Sequence, residues 1–171
     1  MTDGMGPLDL SGANTAGFEA VDAGRYNAAV ADLTWDSVKN TSGTGKMPAG
    51  TPLLKVRFKL LSDLHGDESA VEGKSVFASY VVPPKDYDVK KAAIMQGMIV
   101  NLFVALGDDE ADVKSKKFQP ELADYIGREC VVTVSKEPKK DQTGNIIEGE
   151  YNNPVKGVKP AGSVNAPSGL L

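Results

Sequence analysis

Residues 53–60, Leu-Leu-Lys-Val-Arg-Phe-Lys-Leu, constrain the fold more than any other stretch. Leu54, Val56, Phe58 and Leu60 alternate with Lys55, Arg57 and Lys59. A period of two puts the four apolar side chains on one face of a strand and the three cations on the other. A helix would scatter both sets around its circumference. The chain must therefore hold a sheet with one face on a core and one face in solvent.

The flanking segments repeat the strand signal. After Gly24, residues Arg25 to Trp35 read as a first strand. Tyr26, Ala28 and Val30 share one parity, and Leu33 and Trp35 the other. The change of parity near Ala31 and Asp32 predicts a bulge. A polar loop follows from Lys39 to Gly50, then the cation-bearing strand, then a turn from Asp63 to Gly73. A third strand is expected over Lys74 to Val82, stopped by Pro83 and Pro84.

The period then changes. Ile94, Met95, Met98, Ile99, Leu102, Phe103 and Leu106 recur every three or four residues, which is one helix face. Asp88 suits the N-cap and Gly107 the stop. A connector through Phe118 leads to a helical turn at Leu122 to Tyr125. A fourth strand is expected over Arg128 to Lys136. The stretch Pro138 to Gly144 reads as a loop with a turn signal at Asp141-Gln142-Thr143-Gly144. A fifth strand runs from Ile146 to Val158, broken at Asn152-Asn153-Pro154.

Three strands, a helix and two strands are the element order of the OB-fold, a small Greek-key barrel with the helix closing one end. The expected fold is therefore mainly β: a five-stranded OB-like barrel with one α-helix between strands 3 and 4. Ile94, Met98, Leu102 and Leu106 would face inward. At 171 residues and 41% hydrophobic, the chain suits one such domain over 24–160. Residues 1–23 read as a flexible arm with Phe18 and Val21 docking onto the domain, and 161–171 as a flexible tail.

Several chemistries are poorly provided for. His65 is the sole histidine and Cys130 the sole cysteine. That set supports neither a zinc site nor a histidine-based triad. No catalytic residue, metal or cofactor is expected, and the chain reads as no enzyme. Cys130 lies in an apolar run and reads as a buried structural thiol. Asp108-Asp109-Glu110 reads as a solvated loop. Ser42-Gly43-Thr44-Gly45-Lys46 lacks the phosphate-loop spacing, since Met47 stands where a hydroxyl is needed. Residues 1–10 carry no export signal, and no apolar run is long enough to span a membrane. A cytoplasmic location is expected.

The residues favour a polyanion instead. Lys55, Arg57 and Lys59 form a stripe with successive cations ~7 Å apart, close to the phosphate repeat of an extended single strand. Lys136, Lys139 and Lys140 cluster where the fourth and fifth strands meet, and Lys46 lies in the loop joining the first two. Those loops wall the ligand groove of OB-folds. Trp35, Phe77, Tyr80 and Tyr151 lie near the cations in sequence. Phe77 and Tyr80 differ in parity, so a regular strand exposes one of them. Trp35 and Tyr151 read as the better platforms, because bases stack on aromatics with little regard for sequence. The net charge of −4 requires any basic surface to be local.

In its order of motifs the chain resembles a family of phage-encoded single-stranded-DNA-binding proteins with an OB-like core. The motifs are Gly24-Arg25-Tyr26, Leu53 to Leu60, Leu106-Gly107, Tyr125-Ile126-Gly127-Arg128 and Tyr151-Asn152-Asn153-Pro154-Val155-Lys156. The resemblance covers roughly residues 18–160. It implies sequence-tolerant binding of single-stranded DNA during phage DNA replication, recombination or repair in the infected host. Replication or recombination proteins and a homo-oligomer are candidate further partners, although Ser168-Gly169-Leu170-Leu171 lacks the acids of the tails that recruit partners in many DNA-binding proteins of this class. A structural or protein-interaction module of a replication complex or virion, built on the same barrel, is the alternative.

Overall fold

The structure is a computed structural model that describes residues 20–39, 47–69 and 71–162. Lys46 and Phe18 lie outside them. The strands β1 (Gly24–Ser37), β2 (Pro52–Asp63) and β3 (Ser75–Val81) come first. They are followed by helices α1 (Val89–Ala105) and α2 (Glu110–Val113) and a 3-10 turn at Leu122–Tyr125. Strands β4 (Glu129–Val134), β5 (Glu137–Lys140), β6 (Ile146–Asn152) and β7 (Val155–Pro160) complete the chain. Five strands form one curled antiparallel sheet in the order β3-β2-β1-β4-β7, while β5 and β6 form a separate ribbon. The protein is thus mainly β with one long helix, and the ladder ends at β3 and β7.

Alternation makes the sheet one-sided. In β2, Leu54, Val56, Phe58 and Leu60 are buried and Lys55, Arg57 and Lys59 exposed. Strand β1 serves two neighbours: residues 24–29 pair with β4 and 26–37 with β2. Its register with β2 slips between Val30 and Asp32, so the expected bulge lies at Ala31. A second slip opposite Asn27/Ala28 gives β2 an extra residue, Leu61. Bulges bend a strand and raise its twist, which curls the sheet. The bulge also corrects the expected sidedness. Leu33 pairs with Val56 and returns to the same core as Val30, instead of facing away from it.

The helix covers the core with one end only. Asp88 caps it, accepting from the Lys91 N–H at 3.0 Å. At the C-terminal end Leu102, Phe103, Ala105 and Leu106 are buried. Gly107 adopts φ 111°, a backbone that side-chain-bearing residues avoid, and stops the helix. Ile94 and Met98 do not face inward as their spacing suggests. They are 66% and 48% exposed. Periodicity registers a shared face but not whether a sheet lies beneath every turn of it.

The helix end is tied to the segment before β4. Arg128 donates to the Leu106 carbonyl at 3.0 Å, satisfying one of the carbonyls left open by the helix, and lies 4.4 Å over the Tyr125 ring. The Tyr125 hydroxyl donates to Asp108. Burial, and then that hydrogen bond, push the Tyr125 pKa up. The ring meets Phe103 edge-on at 5.1 Å, as Phe118 does. The acidic stretch is therefore not a plain solvated loop. Asp108 is engaged with Tyr125 and with Arg128 at 3.6 Å, and Asp109 caps α2 through the Ala111 N–H.

Strands β4 to β7 form one long hairpin with a break. Pro154 has no N–H, and the pairing changes there from β4–β7 to β5–β6. Residues 138–140, expected as loop, are strand β5, so the hairpin arm is longer than the turn signal implies. The turn at Asp141 stands as read. Its carboxylate accepts from the Thr143 hydroxyl at 2.6 Å and the Asn145 N–H at 3.0 Å, which holds its pKa down. At the break, the Asn153 amide donates to Ser135 O and Val21 O, both at 2.9 Å, and accepts from the Val21 N–H at 2.8 Å. Val21 is buried, which matches its expected docking.

Candidate nucleic-acid interface

Residues paired across neighbouring strands point to the same side of a sheet. Three rows therefore cross the outer face of β1, β2 and β3: Asp32–Arg57–Phe77, Thr34–Lys55–Ser79 and Ala29–Lys59–Ser75. The rows between them face the core, such as Val30–Phe58–Val76 and, on β2 and β3, Leu54–Tyr80. This decides between the two β3 aromatics. Tyr80 is buried, while Phe77 stands beside Arg57 with 66% of its surface exposed. Around them Asp32, Thr34, Lys55, Ser79 and the Phe77 ring line a shallow hollow of 360 Å³.

The cations of the stripe differ in their neighbours. Lys55 pairs with Asp36 at 2.8 Å. That ammonium, then the Ser37 N–H and Lys39, hold the Asp36 carboxyl well below the usual carboxylate range. Arg57 and Lys59 have no carboxylate within ion-pair distance among the described residues. Asp32 faces Arg57 across the strands and weakens its field. Exposed ion pairs are worth ~0–1 kcal/mol, so a phosphate displaces one at little cost.

The other expected residues lie elsewhere. Trp35 is half exposed but shares the parity of Leu54, so the fold does not bring it onto the stripe's face. Lys139 and Lys140 sit in β5, and Lys136 just precedes it. Lys136 lies 4.8 Å over the Tyr151 ring and 3.6 Å from Asp22, so this aromatic already carries a cation on one face. The ribbon is hydrogen-bonded separately from the main sheet, so its lysines are not on the strands that carry the β2 stripe.

The sequence reading missed three residues near Phe77. Met98 and Lys156, with Lys159, line a cleft that Phe77 also borders. Lys156 and Lys159 stand in Val155-Lys156-Gly157-Val158-Lys159, where alternation is broken by a register slip at Thr133/Val134. Only the strand order reveals that they are on a free edge. Cys130 is buried, and burial followed by Glu129 pushes its thiol up to about 12. His65 is exposed in the turn after β2.

The sequence matches no known protein-family model, and no curated protein matches it. Among the described residues, no helix is long and apolar enough to cross a membrane.

Proposed function

We propose that the protein binds single-stranded DNA with little sequence preference across the outer face of β2 and β3, and acts by binding rather than catalysis. The observation that carries this reading is Phe77. A phenylalanine two-thirds exposed in mid-strand costs solvation, and it stands in register with Arg57 between Lys55 and Lys59. An aromatic face among cations suits a base with its flanking phosphates. The sheet order adds support. Four successive antiparallel pairings make β3 and β7 run parallel at the open seam, the arrangement expected of an OB-like barrel.

Phosphates would follow Lys55, Arg57 and Lys59, with Lys136, Lys139 and Lys140 at the ribbon as a second contact region and Lys46, which lies between β1 and β2 in sequence, as a further contact. Phe77 is the primary base platform, and Trp35 and Tyr151 are secondary ones. Such binding would serve phage DNA replication, recombination or repair, as the resemblance in motif order implies. A titration of a labelled oligothymidine of about thirty nucleotides at low and high salt tests it, with duplex DNA as control. Tight binding that weakens with salt and disfavours duplex is expected. No binding at low salt would contradict the reading.

One observation favours a protein-interaction module instead. Val89, Ile94 and Met98 leave the first turns of α1 apolar and exposed. A stable protein complex formed without oligonucleotide binding would select that reading.

A further inference from the structure

The two free edges of the sheet face each other across a cleft of 480 Å³. Phe77 and Tyr80 of β3 form one wall, Lys156 and Lys159 of β7 the other, and Met98 and Asn101 of α1 lie between them. We propose that this seam is a second nucleic-acid subsite, taking one nucleotide of the strand that crosses β2. The proposal rests on the reading above and extends it to residues outside the stripe.

Three features support it. Phe77 borders both the outer hollow and the seam, so a strand passing over its ring leads from one into the other. The far wall carries Lys156 and Lys159, whose ammonium groups would meet the next phosphate. The Lys156 pair with Glu137, 3.3 Å long and about half exposed on both sides, yields readily to a phosphate. The interior is chemically mixed. Met98 offers a polarizable thioether to a base, Asn101 is an exposed amide, and edge strands present unpaired N–H and C=O groups. The volume falls in the range of small-molecule sites, ~300–1,000 Å³. A peptide strand added to one edge would use the backbone groups but would leave the ammonium groups and the Phe77 ring without a partner.

The test is an oligothymidine titration of three proteins: wild type, Lys156→Glu/Lys159→Glu, and the charge-matched control Lys116→Glu/Lys117→Glu, with thermal melts confirming the fold. It is joined by photocrosslinking of an oligonucleotide carrying 5-iododeoxyuridine. The seam variant should lose about tenfold or more in affinity at low salt and flatten the salt slope by ~0.7 per lost phosphate contact, while the control stays within about threefold. Crosslinks should fall on Phe77 and Met98. Salt-dependent binding by wild type that the seam variant matches within twofold, with no crosslink at Met98, would overturn the seam proposal and leave the β2 stripe standing. Absence of any single-strand binding by wild type would overturn both.

Discussion

The two faces of β2 are one sequence read with opposite physical consequences. Phe58 on the inner face is fully buried among Val30 and Val76. Arg57, one residue earlier, stands in solvent beside Phe77. Burial fixes the inner face, because every apolar atom there gains by leaving water. The outer face is not fixed that way, so a large exposed ring on it calls for a different explanation. Binding supplies one.

Truncation should separate the faces most sharply. Phe58→Ala is expected to cost ~3–5 kcal/mol of folding stability, measured by urea or thermal unfolding. A loss below ~1 kcal/mol would mean that the core does not close on β2. Phe77→Ala should do the reverse. Its unfolding free energy should stay within ~0.5 kcal/mol of wild type. Its affinity for oligothymidine should fall by the ~1–3 kcal/mol of one lost stack. Equal affinities would remove Phe77 from the interface.

The break in the hairpin offers a smaller test. Asn153→Ala removes hydrogen bonds to Val21 and Ser135 that lie far apart in sequence. A loss of about 1–3 kcal/mol is expected, with nucleic-acid affinity at the β2 face unchanged. The last effect is absent at neutral pH. Cys130, ordinarily 9.0, and Tyr80, ordinarily 10.0, are both pushed up to about 12 by burial. Well below pH 9 both groups are neutral folded and unfolded, and their contribution to stability is intact. As pH rises toward 12 the unfolded chain ionises first, so stability should fall through that window. Replacing Cys130 with Ser should narrow the fall, which alkaline melts would show.

How much was legible follows from which forces are local. The β2 alternation, the bulge at Ala31, the Asp88 cap and the turn at Asp141 are written in neighbouring residues, and the structure has them where the pattern puts them. The exposure of Ile94 and Met98 was not legible. Their spacing matches that of Leu102 and Leu106, and only the reach of the sheet separates the two halves of α1. Strand β5 was hidden because Pro138 and two lysines look like a loop, although Tyr151 pairs opposite Pro138. Of the site, the β2 stripe was readable from parity alone. The choice of Phe77 over Trp35, and the presence of Lys156 and Lys159 across the seam, depend on register and strand order.

The central claim is that the outer face of β2 holds phosphates. The most direct test compares the salt dependence of oligothymidine binding by wild type and by Arg57→Glu/Lys59→Glu, two exposed positions whose reversal leaves the core untouched. The account predicts that the variant melts like wild type, binds at least tenfold more weakly at low salt, and shows a slope smaller by ~1.4, the loss of two phosphate contacts. A variant with unchanged affinity and slope would place the nucleic acid elsewhere or remove it altogether.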